Sequence, residues 1–230
     1  MNLNKRILLA SILGVGLGSA QPPAMCAPDT ADIKAFRLII KAKEVSQKNP
    51  SDASAKKLAS DAHQLLETLP ILSDERLKHL VTLEEFYLSS KDSNNSVKVG
   101  HELDKNVDDA IKSGSVSNDQ LHNCLKMLKQ RASNDMQRNA HFIGRGLPPN
   151  AYTRTSYIYK RMQLVLDKIP STDLNKVQYM REIFDFYKNN GKIAEAEQIQ
   201  QKIDATLKTG WTEREKITKK KKPCLGCGMG

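Results

Sequence analysis

Two thiols stand two residues apart, at Cys224 and Cys227, near the end of a 230-residue chain. Thiolates at that spacing can converge on one metal ion, close a local disulfide, or take part in thiol–disulfide exchange. Each use asks for a setting. A zinc site takes four ligands, and no second CxxC or HxxxH lies nearby; Gly228 stands where haem attachment needs a histidine. A redox pair usually opens a helix, which Leu225, Gly226, Gly228 and Gly230 disfavour. A local disulfide or inert tail, half of a metal site, and a redox pair therefore stay open as readings. Cys124 lies among Leu121, Leu125 and Leu128 at helical spacing, the setting of an unreactive buried thiol.

Other chemistry-bearing residues are dispersed. His63, His79, His101, His122 and His141 form no HExxH pair and accompany no nucleophile motif. The pairs Glu84 with Glu85 and Asp108 with Asp109 read as solvated helix surface, since carboxylates are mostly exposed. GxSxG, Walker and dinucleotide fingerprints are absent. Gly144, Arg145 and Gly146 follow no strand pattern and lack the P-loop lysine and hydroxyl, so they do not read as a phosphate cradle. The expectation is a non-catalytic protein with no catalytic residue, no cofactor and no assigned metal.

The elements that would carry these residues are helices. Apolar residues recur at steps of three or four, and no segment sustains strand-like alternation. A first helix is expected over 32–48, with Phe36, Ile39, Ile40 and Ala42 or Val45 inside. Ser51 is expected to cap a second, with Leu58, Ala62, Leu65, Leu66 and Leu69 inside, which Pro70 stops. A third spans 74–90 and a fourth ends near Gly114; Ser117 and Gln120 form a capping box for a fifth. The segment 144–150 interrupts the periodicity and marks a possible break. Helix is expected again over 153–169, 174–190 and from Ile193 until Gly210 ends it, with Thr212 and Glu215 capping a short final turn.

In the last pair, Leu174, Val177, Met180, Ile183, Phe184 and Tyr187 make one stripe and Ile193, Ala196, Ile199, Ile203 and Leu207 the next, with Asn189, Asn190 and Gly191 reversing the chain between them. A shift of one hundred residues places Leu66 on Leu166, Pro70 on Pro170, Phe86 on Phe186, Tyr87 on Tyr187 and Asp104 on Asp204. That is the pattern of a duplicated helical unit, which buries its apolar face only by stacking on a neighbour.

The spacing of Tyr187, Gly191 and Ala196, with Ile183 a turn before the tyrosine and Pro170 closing the preceding unit, resembles the tetratricopeptide repeat family. Phe184, Gln200 and Ile203 depart from that pattern. In the earlier copy Tyr87 and Ser96 keep it, while Lys91 replaces the glycine. The resemblance covers about 35 residues well, the usual length of one unit. It implies an all-α protein, an α-solenoid of stacked antiparallel helical hairpins forming a superhelical binding scaffold.

Compartment is read from the N-terminus. Lys5 and Arg6, an apolar run over 7–17, and Gly18, Ser19 and Ala20 follow the order of a secretory signal peptide, too short to span a bilayer. Cleavage is expected after Ala20, with residues 21–31 a flexible linker and 32–211 the repeat domain. The protein is then periplasmic or secreted. Without residues 1–20 the formal charge falls from +10 to +8, and half of that sits in the basic tail 212–230. Lys219, Lys220, Lys221 and Lys222 are expected to meet a polyanion, an anionic membrane surface or a cell-envelope polymer. Export and the scarcity of aromatics argue against nucleic acid. A protein or peptide partner is expected in a groove between the first helices of successive units, faced by Lys78, Thr82, Gln178 and Arg181.

Overall fold

Side-chain caps set where several helices begin. In the computed structural model, which describes residues 29–49, 52–140 and 149–220, Asp52 accepts from the Ser54 amide at 2.8 Å and Ser73 from the Arg76 amide at 3.2 Å. Asp92 accepts from the Asn95 amide at 3.3 Å. Ser117 and Gln120 exchange reciprocal bonds of 3.0 and 3.3 Å, the capping box that their spacing predicts. Each cap gives a partner to an amide that the first helical turn leaves open. Asp52, not Ser51, occupies the N-cap of the second helix; Ser51 lies outside the described residues.

The elements are α1 (Ala31–Lys48), α2 (Ala53–Glu67), α3 (Asp74–Ser89), α4 (Ser93–Lys112), α5 (Asn118–Ala140), α6 (Pro149–Leu166), α7 (Lys176–Asn189) and α8 (Ile193–Lys220). The fold is all-α, with no strand among the described residues. Packing is heaviest within four consecutive pairs, α1 with α2, α3 with α4, α5 with α6 and α7 with α8; α1 also meets α3, and α3 meets α5. Leu66, Leu77, Leu80, Leu83, Leu103, Leu125, Leu128, Met162 and Ile183 are buried between them. Hiding a side chain of this size contributes roughly 1.5–3 kcal/mol, so the helices hold together chiefly through this shared interior.

The first helix turns a narrower face inward than its sequence suggests. Ala35, Ile39 and Ala42 are buried, whereas Phe36 and Ile40, expected inside, are exposed. Among the described elements α1 packs only against α2 and α3, which cover one strip of its surface. Phe36 keeps partial cover by stacking on His79, ring centroids 5.3 Å apart. In α2 the inner face is Ala55, Ala59, Ala62, His63 and Leu66, with Leu58, Leu65 and Leu69 at its margin. The alanines let the α1 and α2 backbones lie close.

The turns at 90–92 and 190–192 share one backbone pattern. Lys91 has φ 57° and Gly191 φ 71°, the left-handed conformation that ends a helix. Asp92 N donates to Tyr87 O at 2.8 Å and Lys192 N to Tyr187 O at 2.9 Å. The amides of Ser96 and Ala196 donate to the carbonyls of Asp92 and Lys192, each at 3.0 Å. Ser96 and Ala196 are both buried, as are Phe86, Tyr87, Phe186 and Tyr187. Gln163 donates to the Tyr187 hydroxyl at 2.9 Å, tying α7 to α6.

The last helix departs from expectation. Gly210 does not end it; α8 continues unbroken to Lys220, across the boundary expected at 211 and 212. Thr212 caps nothing new: its hydroxyl donates to Lys208 O at 2.9 Å, a bond inside the helix. Gly210 is buried because Leu174 sits against it, and a Cβ there would lie 3.0 Å from Leu174 Cγ and closer to Cδ2. The glycine serves close approach, not helix termination. Leu174 itself stands in the turn before α7, which starts at Lys176. Helix α6 starts at Pro149 and ends at Leu166, shifted towards the N-terminus of the predicted 153–169.

Candidate functional site

Helix α3 packs against α1 and α5, α5 reaches α7 through side-chain contacts, and the predicted groove residues sit on α3 and α7. Lys78, Gln178 and Arg181 are exposed, and Thr82 is half-buried with its hydroxyl donating to Lys78 O at 3.0 Å. Between α3 and α5 runs a shallow cleft of about 180 Å³ whose wall includes Lys78, Leu77, Val81, Lys126, Met127 and Gln130. Thr82, Gln178 and Arg181 do not line it.

Two lysines of α5 bridge the odd helices, and sequence reasoning passed over both. Lys126 Nζ approaches Asp74 of α3 at 3.4 Å, and Lys129 pairs with Glu182 of α7. His122 of α5 also bonds Asp173 at 2.8 Å and leans on Tyr179, ring centroids 6.2 Å apart. Burial alone would raise the Asp173 carboxyl, but the hydrogen bond from His122 and the amide of Asn175 hold it below its ordinary range. The surface formed by α3, α5 and α7 is therefore polar, mixed in charge and fixed by side-chain bonds.

Beneath the other face lies an ion network. Glu84, expected on the surface, is buried on α3 and receives both Nε and Nη2 of Arg131 at 3.0 Å, with Arg154 Nη2 at 2.8 Å. Arg131 Nη1 also reaches Asp104 at 2.7 Å. Burial works against the Arg131 charge, yet the carboxylates of Glu84 and Asp104 raise its pKa further. Asp135 takes Arg138 at 3.1 Å and the Thr155 hydroxyl, and Arg138 pairs with Glu85. Arg161 reaches Asp108 and the Asp104 carbonyl, each at 2.6 Å, and stacks its guanidinium over Tyr157 at 5.1 Å. Of the carboxylates expected at the surface only Asp109 stays exposed and outside this set.

Gly100 on α4 makes room for the network, since a Cβ there would meet Glu84 Oε1 at 2.9 Å. A cleft of about 380 Å³ opens above, walled by Glu84, Gly100, Asp104, Arg131, Arg154 and Tyr157 among others. Chemically the arrangement joins α3, α4, α5 and α6. Glu84 is held by two guanidinium groups, those of Arg131 and Arg154. Arg131, Asp135 and Arg138 on α5, and Arg154 and Arg161 on α6, recur at helical steps, which places each set on one face without telling whether that face is buried.

A second buried cation site recurs with the hundred-residue shift. Arg76 Nη1 donates to Leu69 O at 2.9 Å, and Lys176 Nζ to Ile169 O at 2.9 Å, each at the carbonyl end of the preceding helix. Arg76 is balanced by Glu102 at 2.9 Å, which His63 also bonds at 2.7 Å. Burial alone would raise the Glu102 carboxyl; the bonds from His63 and Arg76 outweigh it and lower the pKa. At the later position burial depresses Lys176 despite Asp167 and Asp173 nearby.

Cys124 is buried as expected, and burial pushes its thiol up to about 11, which suppresses the reactive thiolate at neutral pH. Lys219 and Lys220 fall in the last turn of α8; Lys221, Lys222, Cys224 and Cys227 lie outside the described residues, as do residues 1–20. Among the described residues no group of histidine, cysteine and carboxylate side chains has the arrangement of a metal site, and no helix is long and apolar enough to cross a membrane. No family model and no curated protein matches the sequence.

Proposed function

We propose that the chain is an exported, non-catalytic scaffold, an α-solenoid of tetratricopeptide-like hairpins that binds a protein or peptide across its odd helices. A basic tail engages an anionic envelope component. The observation that carries the reading is the polar surface of α3, α5 and α7, with Lys78, Gln178 and Arg181 exposed and the exposed Lys126 and Lys129 of α5 reaching Asp74 of α3 and Glu182 of α7. Neighbouring helices bearing solvated polar groups suit recognition of an extended or helical segment. The repeated turns at Lys91 and Gly191 and the recurring cations Arg76 and Lys176 support a stacked, duplicated architecture. The signal-like segment over 7–17 supports export.

Crosslinkers placed at positions 78 and 181 test this. A single partner captured at both, and lost when Lys78, Thr82, Gln178 and Arg181 are changed to alanine with helicity retained, is the expected result. Capture indifferent to the four changes overturns it. The alternative, a redox or metal-handling role for Cys224 and Cys227, rests on their spacing. Thiol counting and metal analysis of the native chain separate it from the scaffold reading.

A further inference from the structure

Ile193 and Trp211 stand about five helical turns apart on α8, so their side chains fall in line along one side of it. They are 53% and 62% exposed. Between them Glu197, Gln200, Asp204 and Lys208 follow at steps of three or four, and all four are exposed. Glu197 and Lys208 form no ion pair among the described residues. The rest of the fold leaves this line uncovered. Helix α8 packs on α7, and its buried positions are Ala196, Ile199, Ile203, Thr206 and Gly210. Lys202, about two and a half turns from both Ile193 and Trp211, is on the opposite side, where it reaches Asp167 just past the end of α6 at 2.9 Å. The preceding unit therefore lies on the Lys202 side, and the line from Ile193 to Trp211 faces away from it.

The line is complementary to itself. When two copies of α8 meet antiparallel about a two-fold axis level with residue 202, Ile193 of each faces Trp211 of the other. Gln200 of each, which bonds Asp204 of its own helix at 2.9 Å, meets Asp204 of the other. Glu197 and Lys208 lie about three turns apart and so share one edge of the line. An antiparallel two-fold brings that edge against itself and sets each Glu197 opposite a Lys208. A parallel pair would instead oppose Glu197 to Glu197 and Asp204 to Asp204. An anionic bilayer also fits badly, because it would press both carboxylates against its phosphates. The line is about 27 Å long and a helix about 10 Å wide, so α8 offers roughly 300 Å² per copy. Stable complexes cover about 800 Å² per side, which puts this contact in the weak class, monomeric when dilute and dimeric when concentrated.

We infer that the chain forms a two-fold dimer through α8, in which Trp211 of each copy packs on Ile193 of the other and Glu197 pairs with Lys208. The inference goes beyond the partner-binding reading and does not depend on it. Where the surface of α3, α5 and α7 binds a partner, the dimer presents that surface twice, which raises avidity for a paired or repeated target.

Sedimentation equilibrium of the full chain over a concentration series tests this, with the fluorescence of Trp211, the single indole, read at the same points. The expected result is a rise from monomer to dimer mass and no further, accompanied by a blue shift and reduced acrylamide quenching. W211A should raise the dissociation constant at least about tenfold, as the loss of an aromatic anchor does. E197K and K208E should each weaken the dimer, and E197K combined with K208E should restore it, because both ion pairs re-form with their ends exchanged. All three positions are exposed, so helicity by circular dichroism should stay at the parent level. A chain that remains monomeric to its solubility limit, grows beyond the dimer, or dimerises equally well as W211A overturns the inference. Strengthening by E197K alone also overturns it, since like charges would then face each other in a parallel pair. So does a blue shift on phosphatidylglycerol vesicles at monomer mass, which would assign the indole to lipid.

Discussion

At the turn between α3 and α4 the left-handed position belongs to Lys91, and one hundred residues later the same backbone bends at Gly191. The difference extends inward from there. Where α3 carries Glu84, buried against Arg131 and Arg154, α7 carries Phe184, partly buried in the apolar cluster. Where α4 carries Glu102 beside Arg76, α8 carries Lys202, which turns to Asp167 at 2.9 Å. Gly100 admits a carboxylate to the α4 backbone, whereas Gly210 admits Leu174 to α8. The α3/α4 pair has neighbours on both sides in the chain and meets α1, α2, α5 and α6; the α7/α8 pair adjoins α6. The α3/α4 pair thus uses buried charge to fix its neighbours, while the α7/α8 pair is held by apolar contact and α8 runs past α7. One backbone plan tolerates either chemistry.

The comparison breaks most visibly at Arg131. Replacing it with alanine leaves Glu84 buried with only Arg154, and unfolding by denaturant should show a loss of about 3–5 kcal/mol. Replacing Glu84 and Arg131 together with leucine should recover much of that loss, because two desolvated charges leave at once. If the double change costs as much as the single, the network contributes more than its electrostatics. Next come the glycines. G210A should cost roughly 1–3 kcal/mol through overpacking against Leu174, with L174A restoring part of it in thermal melts. G100A should disturb the Arg131 pair with Glu84, an effect absent once Glu84 is leucine.

The two turns should respond with opposite signs. K91G relieves a side chain held at positive φ and should stabilise by about 1 kcal/mol, and G191A should destabilise by a similar amount. Equal signs would mean that the turns are not equivalent. The smallest effect concerns pH. The Glu102 pKa is lowered in the folded chain, so its contribution is present above the ordinary carboxylate range and is lost as pH falls through the folded value. E102Q should therefore be less stable than the parent near neutrality, with the gap closing as pH falls below the ordinary carboxylate range; a gap constant with pH would assign its effect to packing.

Much of the fold was legible. Helix α5 was legible from Ser117 and Gln120, because a capping box is a local contract between neighbouring residues. The equivalence of Tyr87 and Tyr187 could be read because helical period and spacing are linear in the chain. The polar interior was not legible: Glu84 and Glu85 look alike as an adjacent pair, and only the arrival of α5 and α6 makes one of them buried and paired. Gly210 misled for a related reason. A glycine at a helix end and a glycine at a helix crossing are the same letter, and Leu174, which distinguishes them, lies 36 residues earlier. Phe36 and Ile40 failed in the opposite sense, apolar residues at the right period on a helix with too few neighbours to cover them.

By itself the sequence determined the all-helical class, most helix boundaries to within a few residues, and the two reversals of chain at 91 and 191. These depend on propensity, periodicity and caps that act over one or two turns. Only the tertiary structure decided which charges are inside, which glycines serve packing, and that α8 runs past its partner with Trp211 on the overhang. Burial is a property of what arrives from elsewhere in the chain, and a side chain's own neighbours in sequence carry no record of it.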